Sequence, residues 1–335
     1  MEIWNKFYTM EPMKYYDAGA NFKGEKAQKM ITNESSNYIA TQKFDGEWAR
    51  IIKDDGKVVI QSRNISKVTG EYGNKTELVP QIVQDAMDLP DGTVLLGELC
   101  WNDITKTSKD VGTILRCLPA KAIARQKDEK LIFRVFDCLA WGGTDLSNEP
   151  YSTRFAYALS AHTCANMPFT YIKPPVWVGQ NFEDFLQEIL ANGGEGIVIH
   201  SLDYKYAPGK RPAWTTLKVK KVTTELELKV VDFIDPKRNY EGTEIESWRY
   251  WEDDEPVTKP YFYGWKNGVV VDHNGTLVRV TSGLTDDDRA WLAEDEAKLL
   301  MANENLIAVV SAMEVDNVSG SLRHPRLIRL RTDMN

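Results

Sequence analysis

Six consecutive residues, Lys43-Phe44-Asp45-Gly46-Glu47-Trp48, connect two predicted β-strands in the first half of this 335-residue chain. Residues 38–42 ahead of them have the composition of a strand. Residues 48–52 predict a second strand, which returns over 58–63 after an Asp55-Gly56 turn signal. A lysine at the end of a strand, near a glycine that lets the backbone approach a ligand, is well placed to act as a covalent nucleophile. An ordinary hairpin turn is the alternative interpretation.

Residues 214–221 alternate apolar and basic side chains. On a strand, Lys218 and Lys220 would share one face, while Leu217 and Val219 would take the other. Two ammonium groups on one face suit a polyphosphate. They would also favour the neutral form of a nearby lysine, and an ordinary lysine is only about a thousandth neutral at pH 7.4. The alternative is the solvated face of an edge strand.

Two carboxylates stand in strongly apolar runs, Glu98 within residues 94–99 and Glu195 within 193–199. An ionised carboxylate in such a run is costly unless it is paired or bound to a cation. A structural salt bridge and a contact with ribose or Mg²⁺ both fit this pattern. The apolar strand predicted over 131–139 contains Phe136, which is either a core residue or a base-stacking platform.

Taken together, these segments resemble the ATP-dependent DNA ligases of the covalent nucleotidyltransferase superfamily, and among them the compact bacteriophage enzymes. Eight segments stand in the family order: KFDGEWAR, SR at 62–63, LLGEL, RVFDCL, GGEGIVI, LKVKK, SGLTDDD and SLRHPRLIRLRTD. The resemblance implies an α+β nucleotidyltransferase domain, ATP-grasp-like with antiparallel sheets and helices, over residues 1–222. A small all-β OB-fold barrel would follow over 223–335. It also implies ATP and Mg²⁺, or Mn²⁺, as cofactors and nicked double-stranded DNA as the partner of a monomer.

The resemblance assigns roles residue by residue, beginning with Lys43 as the lysine that becomes adenylylated. Arg63 would meet the DNA 5′-phosphate, and Phe136 would stack on the base. The implied catalytic residues are Lys43, Asp45, Glu98, Glu195, Lys218 and Lys220. The implied nucleotide contacts are Thr41, Gln42, Lys43, Arg63, Glu98, Phe136, Lys218, Lys220, Arg331 and Asp333, with Glu98 on the ribose. The implied metal ligands are Glu98 and Glu195.

The chain departs from the family pattern at two positions. Trp48 stands where the family usually has an arginine. Arg50 has the same strand parity, about 6 to 7 Å further along, and is the candidate substitute. Met334 stands where the last motif usually has a lysine, which leaves Arg331 and Asp333 as the recognisable members of that motif.

Charge and cysteine usage narrow the class of protein. The formal net charge is −8, but basic residues concentrate in two segments, and local charge is what DNA meets. These residues are Lys205, Lys210, Arg211, Lys218, Lys220 and Lys221, then Arg323, Arg326, Arg329 and Arg331. The sequence has four cysteines, and no two of them form a C-x-x-C pair. This argues against the NAD-dependent ligases, which have a four-cysteine zinc site.

The pattern of the second half predicts a small barrel. Thr223 and Thr224 would form the hinge, and strands are expected over 226–231 and 306–313, with an Asn274-Gly275 hairpin turn. An amphipathic helix is predicted over 286–302, and a packing helix over 181–190 within the first domain. Residues 236–260 show no clear period, and we favour a surface excursion there over a DNA-clamping loop.

We predict neither a signal peptide nor a membrane span, and we expect a cytoplasmic protein, in the host cytoplasm if it is viral. Three rival functions remain. An mRNA capping guanylyltransferase would use GTP, and an RNA ligase would share the chemistry on a different substrate. A nucleic-acid-binding protein with a decayed nucleotide site would take no label from ATP.

Overall fold

The chain divides into two compact units, Met1–Lys221 and Val222–Asn335. The computed structural model describes residues 2–17, 25–66, 69–104, 106–164, 176–178, 181–212, 214–220, 225–242, 244–312, 314–315 and 320–332. The expected hinge residues Thr223 and Thr224 lie outside the described residues, as do Lys221, Asp333 and Met334.

Helices of the first unit surround its sheets. They are α1 (Glu2–Tyr8), α2 (Glu25–Thr32), α3 (Pro80–Ala86), α4 (Ser108–Leu115), α5 (Pro119–Arg125), α6 (Tyr151–Cys164) and α7 (Phe182–Ala191), with a 3₁₀ turn at Thr76–Leu78. The predicted helix over 181–190 is confirmed as α7. It begins where the Asn181 side chain accepts a hydrogen bond from the Glu183 amide, and it buries Phe182, Phe185, Leu186 and Ile189.

The strands of the first unit form two sheets. They are β1 (Tyr16–Asp17), β2 (Tyr38–Lys43), β3 (Glu47–Asp54), β4 (Lys57–Ile65), β5 (Tyr72–Asn74), β6 (Thr93–Cys100), β7 (Ile132–Trp141), β8 (Thr144–Asp145), β9 (Val176–Val178), β10 (Gly196–Ser201) and β11 (Thr216–Lys220). One sheet has the order β1-β11-β10-β2-β9 and the other β5-β4-β3-β6-β7-β8. All pairings are antiparallel except that of β1 with β11. The strands predicted from the sequence are confirmed.

The segment from Lys43 to Glu47 carries the chain from one sheet to the other. Its glycine is required because a Cβ on Gly46 would lie 2.2 Å from the carbonyl oxygen of Leu99. The predicted turn between β3 and β4 is also present, with positive φ at both Asp55 and Gly56, as a two-residue hairpin turn of the I′ type requires. The sequence motif therefore places Lys43 at the end of one sheet, directly beside the other.

The second unit is built on a five-stranded sheet. The strands of this unit are β12 (Glu225–Ile234), β13 (Trp251–Glu252), β14 (Glu255–Pro256), β15 (Gly268–His273), β16 (Thr276–Val280), β17 (Leu306–Ser311), β18 (Glu314–Val315), β19 (Leu322–Arg323) and β20 (Arg326–Thr332). β13 pairs with β14 and β18 with β19, and the other five form the sheet. Its helices are α8 (Lys259–Phe262), α9 (Asp286–Trp291) and α10 (Asp295–Ala302), with a 3₁₀ turn at Ile245–Ser247.

This five-stranded sheet closes on itself. Its order is β16-β15-β12-β17-β20, and a parallel bridge between Ser282 and Arg326 joins the two ends. A closed five-stranded barrel with helices between its third and fourth long strands is the OB topology, as expected.

The predicted single helix over 286–302 is wrong in one respect, because it is two helices. Glu294 has an extended backbone and precedes α10 as its N-cap. Asp295 and Glu296 follow in the first turn, where carboxylates favour a helix start. The acidic run therefore starts a second helix instead of continuing the first.

The described residues between 236 and 260 form an aromatic excursion. The rings of Tyr240 and Trp248 stack with centroids 3.6 Å apart, and the Trp248 indole donates to the Val257 carbonyl at 2.7 Å. The segment contains seven acidic and four basic side chains, a balance that favours a surface excursion over a DNA clamp. Among the residues that the structure describes, no helix is both long and apolar enough to cross a bilayer.

Candidate functional site

A cavity of about 670 Å³ lies between the two sheets of the first unit. Its walls bring together seven of the predicted site residues, Thr41, Gln42, Lys43, Arg63, Glu98, Phe136 and Lys218. Asp45 is outside the lining, but its charge acts on Glu98. Arg331 belongs to the second unit, where it forms an ion pair with Glu227, and Asp333 lies outside the described residues.

Lys43 is positioned by strand register. Lys43 and Lys220 are the partners of Gly196 on its two sides, so both lysines project from one row of the sheet. Gly196 has φ +145°, and a Cβ there would lie 2.0 Å from the Val219 carbonyl oxygen. Only glycine fits between the two lysine strands.

Glu195 immediately precedes this row and pairs with both lysines. One carboxylate oxygen lies 2.5 Å from Lys43 Nζ, and the other lies 3.7 Å from Lys220 Nζ. Both lysines and the glutamate are mostly buried, with side-chain exposures of 18%, 26% and 14%. The Glu195 carboxylate is thus held between two cations. A phosphate group could bind here by replacing this carboxylate as the partner of the two lysines.

The next row of residues in the same sheet also lines the cavity, and it combines a hydroxyl, an apolar and a basic side chain. Thr41 and Lys218 are the register partners of Val198, and all three border the cavity. Leu217 and Val219 are fully buried on the opposite face, as the alternation predicts. Sequence reasoning missed Val198, although its parity with Gly196 in the GGEGIVI run places it on this face.

Phe136 faces the cavity from the other sheet and rests on a buried polar network. Its carbonyl oxygen accepts a 2.8 Å hydrogen bond from the Tyr151 hydroxyl. The adjacent Asp137 accepts two hydrogen bonds from Arg154, at 2.9 and 3.1 Å, and both side chains are fully buried. The half-buried ring therefore borders an open space and has a rigid support, which suits a stacking platform.

His200 forms a neutral part of the wall beside this platform. Its ring stacks on Tyr151 with centroids 4.2 Å apart, and it is 1% exposed. Burial lowers the pKa of His200 to about 3, and the nearby Arg154 cation acts in the same direction. The aromatic wall at Phe136 and His200 thus carries no charge from the histidine at neutral pH.

Three further basic side chains, Arg63, Lys75 and Arg116, also line the cavity. Arg63 donates to the Met13 carbonyl at 3.3 Å, Lys75 donates to the Leu115 carbonyl at 2.8 Å, and Arg116 pairs with Glu47 at 2.8 Å. Burial lowers the pKa of Lys75. Sequence reasoning found Arg63 but missed Lys75 and Arg116, which belong to no motif and are brought in by folding.

Arg50 does not replace the arginine missing at Trp48. Its guanidinium is 1% exposed and is held by Gln61 and by the carbonyls of Met10 and Tyr8, at 2.7 to 3.1 Å. Trp48 lines the cavity and Arg50 does not. The expectation from strand parity is wrong because the N-terminal segment covers the strand at Arg50.

Glu98 is a carboxyl in an apolar strand beside the cavity. Burial raises the pKa of Glu98 to about 8, and the positive charge of Lys43 opposes this only in part. Glu195 and Asp45 raise the pKa further, and Lys218 lowers it. No group of three or more metal-ligating side chains occurs in the described parts of the chain. Glu98 and Glu195 still suit Mg²⁺, which commonly takes one or two carboxylates and completes its shell with phosphates and water.

The raised pKa makes the stability of the fold depend on pH through Glu98. The folded protein keeps a proton that the unfolded chain loses above its ordinary pKa near 4.3, so the free energy of unfolding should fall as pH rises from about 5 to about 8. In Glu98→Gln, the free energy of unfolding should fall by about 1–4 kcal/mol less over this pH range than it does in wild type. Chemical denaturation at pH 5.5 and 8.5 measures it, with the exposed Glu77→Gln as the control. An unchanged decline in Glu98→Gln would contradict the assignment.

Comparison with known proteins gives a family match over most of the first unit. Residues 20–220 match the family model described as ATP dependent DNA ligase domain. A DNA ligase of Methanothrix thermoacetophila is 28% identical over 313 residues, which cover 87% of this chain and 51% of that protein. A probable DNA ligase of Streptomyces coelicolor is 29% identical over 198 residues, 55% of this chain and 35% of that protein. The chain spans about half or less of the length of these relatives.

Solved structures share the fold. A chain from a structure–function study of Lig E DNA ligases, concerned with DNA binding by a minimal scaffold, aligns with a TM-score of 0.60 at 16% identity. It covers 88% of this chain and 93% of its own. The chain Pmar-Lig_PreS3 aligns with a TM-score of 0.63 at 18% identity over 98% of this chain and 70% of its own. At these identities the likeness concerns the fold alone.

Proposed function

Because the chain belongs to the ATP-dependent DNA ligase domain family, we propose that it is a DNA ligase that seals nicks in double-stranded DNA with ATP. The observation that carries the proposal is the placement of Lys43. It stands at the end of β2, inside a cavity lined by aromatic and basic side chains, in contact with Glu195. A nucleotide with its base at Phe136 and its phosphates towards Lys43 matches this arrangement.

In the first step, the neutral amine of Lys43 attacks the α-phosphorus of ATP. A nitrogen–phosphorus bond forms, and the bond from that phosphorus to pyrophosphate breaks. Phe136 stacks on the adenine, with Thr41 and Gln42 on its edge. Glu98 holds the ribose, and Lys218 and Lys220 offset the charge that develops on the phosphates.

Glu98 and Glu195 would hold a divalent cation, Mg²⁺ or Mn²⁺. When bound, such an ion would neutralise phosphate charge and compete with Lys43 for Glu195. Glu195 would thereby exchange its 2.5 Å contact with Lys43 for a contact with the ion.

The AMP then passes to the 5′-phosphate of a nick, and the 3′-hydroxyl displaces it as the phosphodiester bond forms. Arg63, in the wall of the cavity, is our candidate for binding that 5′-phosphate. In the second unit, Arg331 and Asp333 would assist pyrophosphate departure in the first step only. We place the protein in the cytoplasm as a monomer. The buried free thiols of Cys100 and Cys138 suit a reducing compartment.

The test of the proposal is nick sealing. Purified protein with ATP and Mg²⁺ should join a nicked DNA duplex labelled at its 5′-phosphate, and the product is read on a denaturing gel. A nicked RNA duplex and GTP in place of ATP should give much less product. Label transfer to protein from GTP alone would identify a guanylyltransferase, and preferential joining of RNA would identify an RNA ligase. Absence of any nucleotide transfer would leave a nucleic-acid-binding protein.

A further inference from the structure

Three arginines are buried among the described residues, and one differs from the other two in its partners. Arg50 is held by a glutamine and two carbonyls, and Arg154 by a carboxylate and two carbonyls. Arg134 is 7% exposed, yet its Nε has no hydrogen-bond partner in the described structure. Its Nη2 reaches Asn102 Oδ1 only at 3.4 Å, and its other polar neighbour is the Cys100 thiol.

This incomplete set of partners is costly for a cation. A guanidinium has five N–H donors, and a buried charge without an anionic partner is unfavourable. No carboxylate oxygen of a described residue is shown within ion-pair distance of Arg134. The side chain borders the same cavity as Lys43 and Phe136. Its donors are therefore available to a ligand in that cavity.

Strand register places Arg134 beside Glu98. Trp48 and Arg134 are the partners of Glu98 on its two sides, so the three side chains share one face in one row. Neighbouring strands are about 4.8 Å apart. The guanidinium lies 4.1 Å from the ring centroid of Phe44, the residue after Lys43. Arg134 thus neighbours both the Glu98 side chain and the turn that carries the nucleophile.

We propose that Arg134 binds the phosphate next to the ribose of the bound nucleotide. The proposal rests on the proposed function, because it takes the ligand of this cavity to be an adenine nucleotide. A guanidinium offers two parallel N–H donors to a phosphate, whereas Lys43 has to attack the phosphorus as a neutral amine and cannot also serve as the cation that binds it. Trp48, on the other side of Glu98, has an indole N–H but no positive charge to offer.

The test compares two ligands that differ only by the phosphate, AMP and adenosine. Their dissociation constants are measured by isothermal titration calorimetry on wild type and on Arg134→Gln, after treatment with pyrophosphate and Mg²⁺ to remove any bound adenylate. Arg134→Gln should weaken AMP binding at least tenfold and change adenosine binding less than twofold. Arg125→Gln, an exposed arginine of the same unit, should change neither. Thermal unfolding of each variant checks that it is folded.

The outcomes separate this proposal from the proposed function. If Arg134→Gln weakens both ligands equally, or neither, Arg134 supports the fold and does not bind the phosphate. If wild type binds neither ligand, the cavity is not an adenine nucleotide site and the proposed function fails with it. Arg134→Lys supplies a second reading, because it keeps the charge but loses the paired donors. Its dissociation constant for AMP should lie between those of wild type and Arg134→Gln, and its dissociation constant for adenosine should be unchanged.

Discussion

Replacing Lys43 with alanine is expected to abolish the transfer of label from α-labelled ATP to the protein. A methyl group cannot form the nitrogen–phosphorus bond, so no residual reaction should survive. Lys43→Arg should fail as well, since a guanidinium stays protonated at any working pH. The measurement is incubation with α-labelled ATP and Mg²⁺, followed by a denaturing gel that retains only covalent label.

The control for this experiment is Lys57→Ala. Lys57 is an exposed lysine at the start of β4, in the same sheet as β3 but outside the cavity. It should label like wild type. Persistent covalent label in Lys43→Ala would remove Lys43 from the mechanism, whatever the role of its neighbours.

Replacing Asp137 with alanine should give the largest loss of stability among the changes considered. Asp137 and Arg154 are both 0% exposed and joined by two hydrogen bonds. Removing the carboxylate leaves a buried guanidinium without its anion, which costs about 3–5 kcal/mol of unfolding free energy. Because Arg154 also holds the Glu149 and Tyr204 carbonyls, the support beneath Phe136 should loosen. Equilibrium denaturation in urea measures the loss.

Two further variants make the result interpretable. Asp145→Ala breaks an ion pair with Lys6 in which both side chains are about one-third exposed, and it should cost about 1 kcal/mol or less. Asp137→Asn keeps an acceptor for Arg154 and should fall between the two, and it remains measurable if Asp137→Ala does not fold. A loss in Asp137→Ala no larger than in Asp145→Ala would show that the buried pair contributes little.

The local structure around Lys43 is predictable from sequence because it depends on near neighbours. Apolar strand-forming runs and an Asp-Gly turn fix β3 and β4, and the alternation of Leu217 with Lys218 fixes which face of β11 meets the cavity. The pairing of Lys43 with Glu195 is different. It depends on the register of β2 against β10, which no local pattern encodes.

The errors have a common physical cause, which is that parity predicts a face but not what covers it. Arg50 shares the parity of Trp48, yet the carbonyls of Tyr8 and Met10 take its donors. Lys75 and Arg116 enter the cavity through tertiary packing, without a motif to mark them. The proposed role of Arg331 stays a prediction, since its described ion-pair partner is Glu227 of its own unit.

The pairing of β2 with β10 also determines how late in synthesis of the chain the site can form. Lys43 and its partner Gly196 are separated by 153 positions, and a ribosome adding about 5–20 residues per second needs about 8–30 s to span them. β3 and β4 can pair within that interval because only a two-residue turn separates them. β2 must wait, with its backbone groups unpaired on the side that β10 will take. A nascent chain stopped before residue 195 would already contain Lys43 and yet lack Glu195, Lys218 and Lys220.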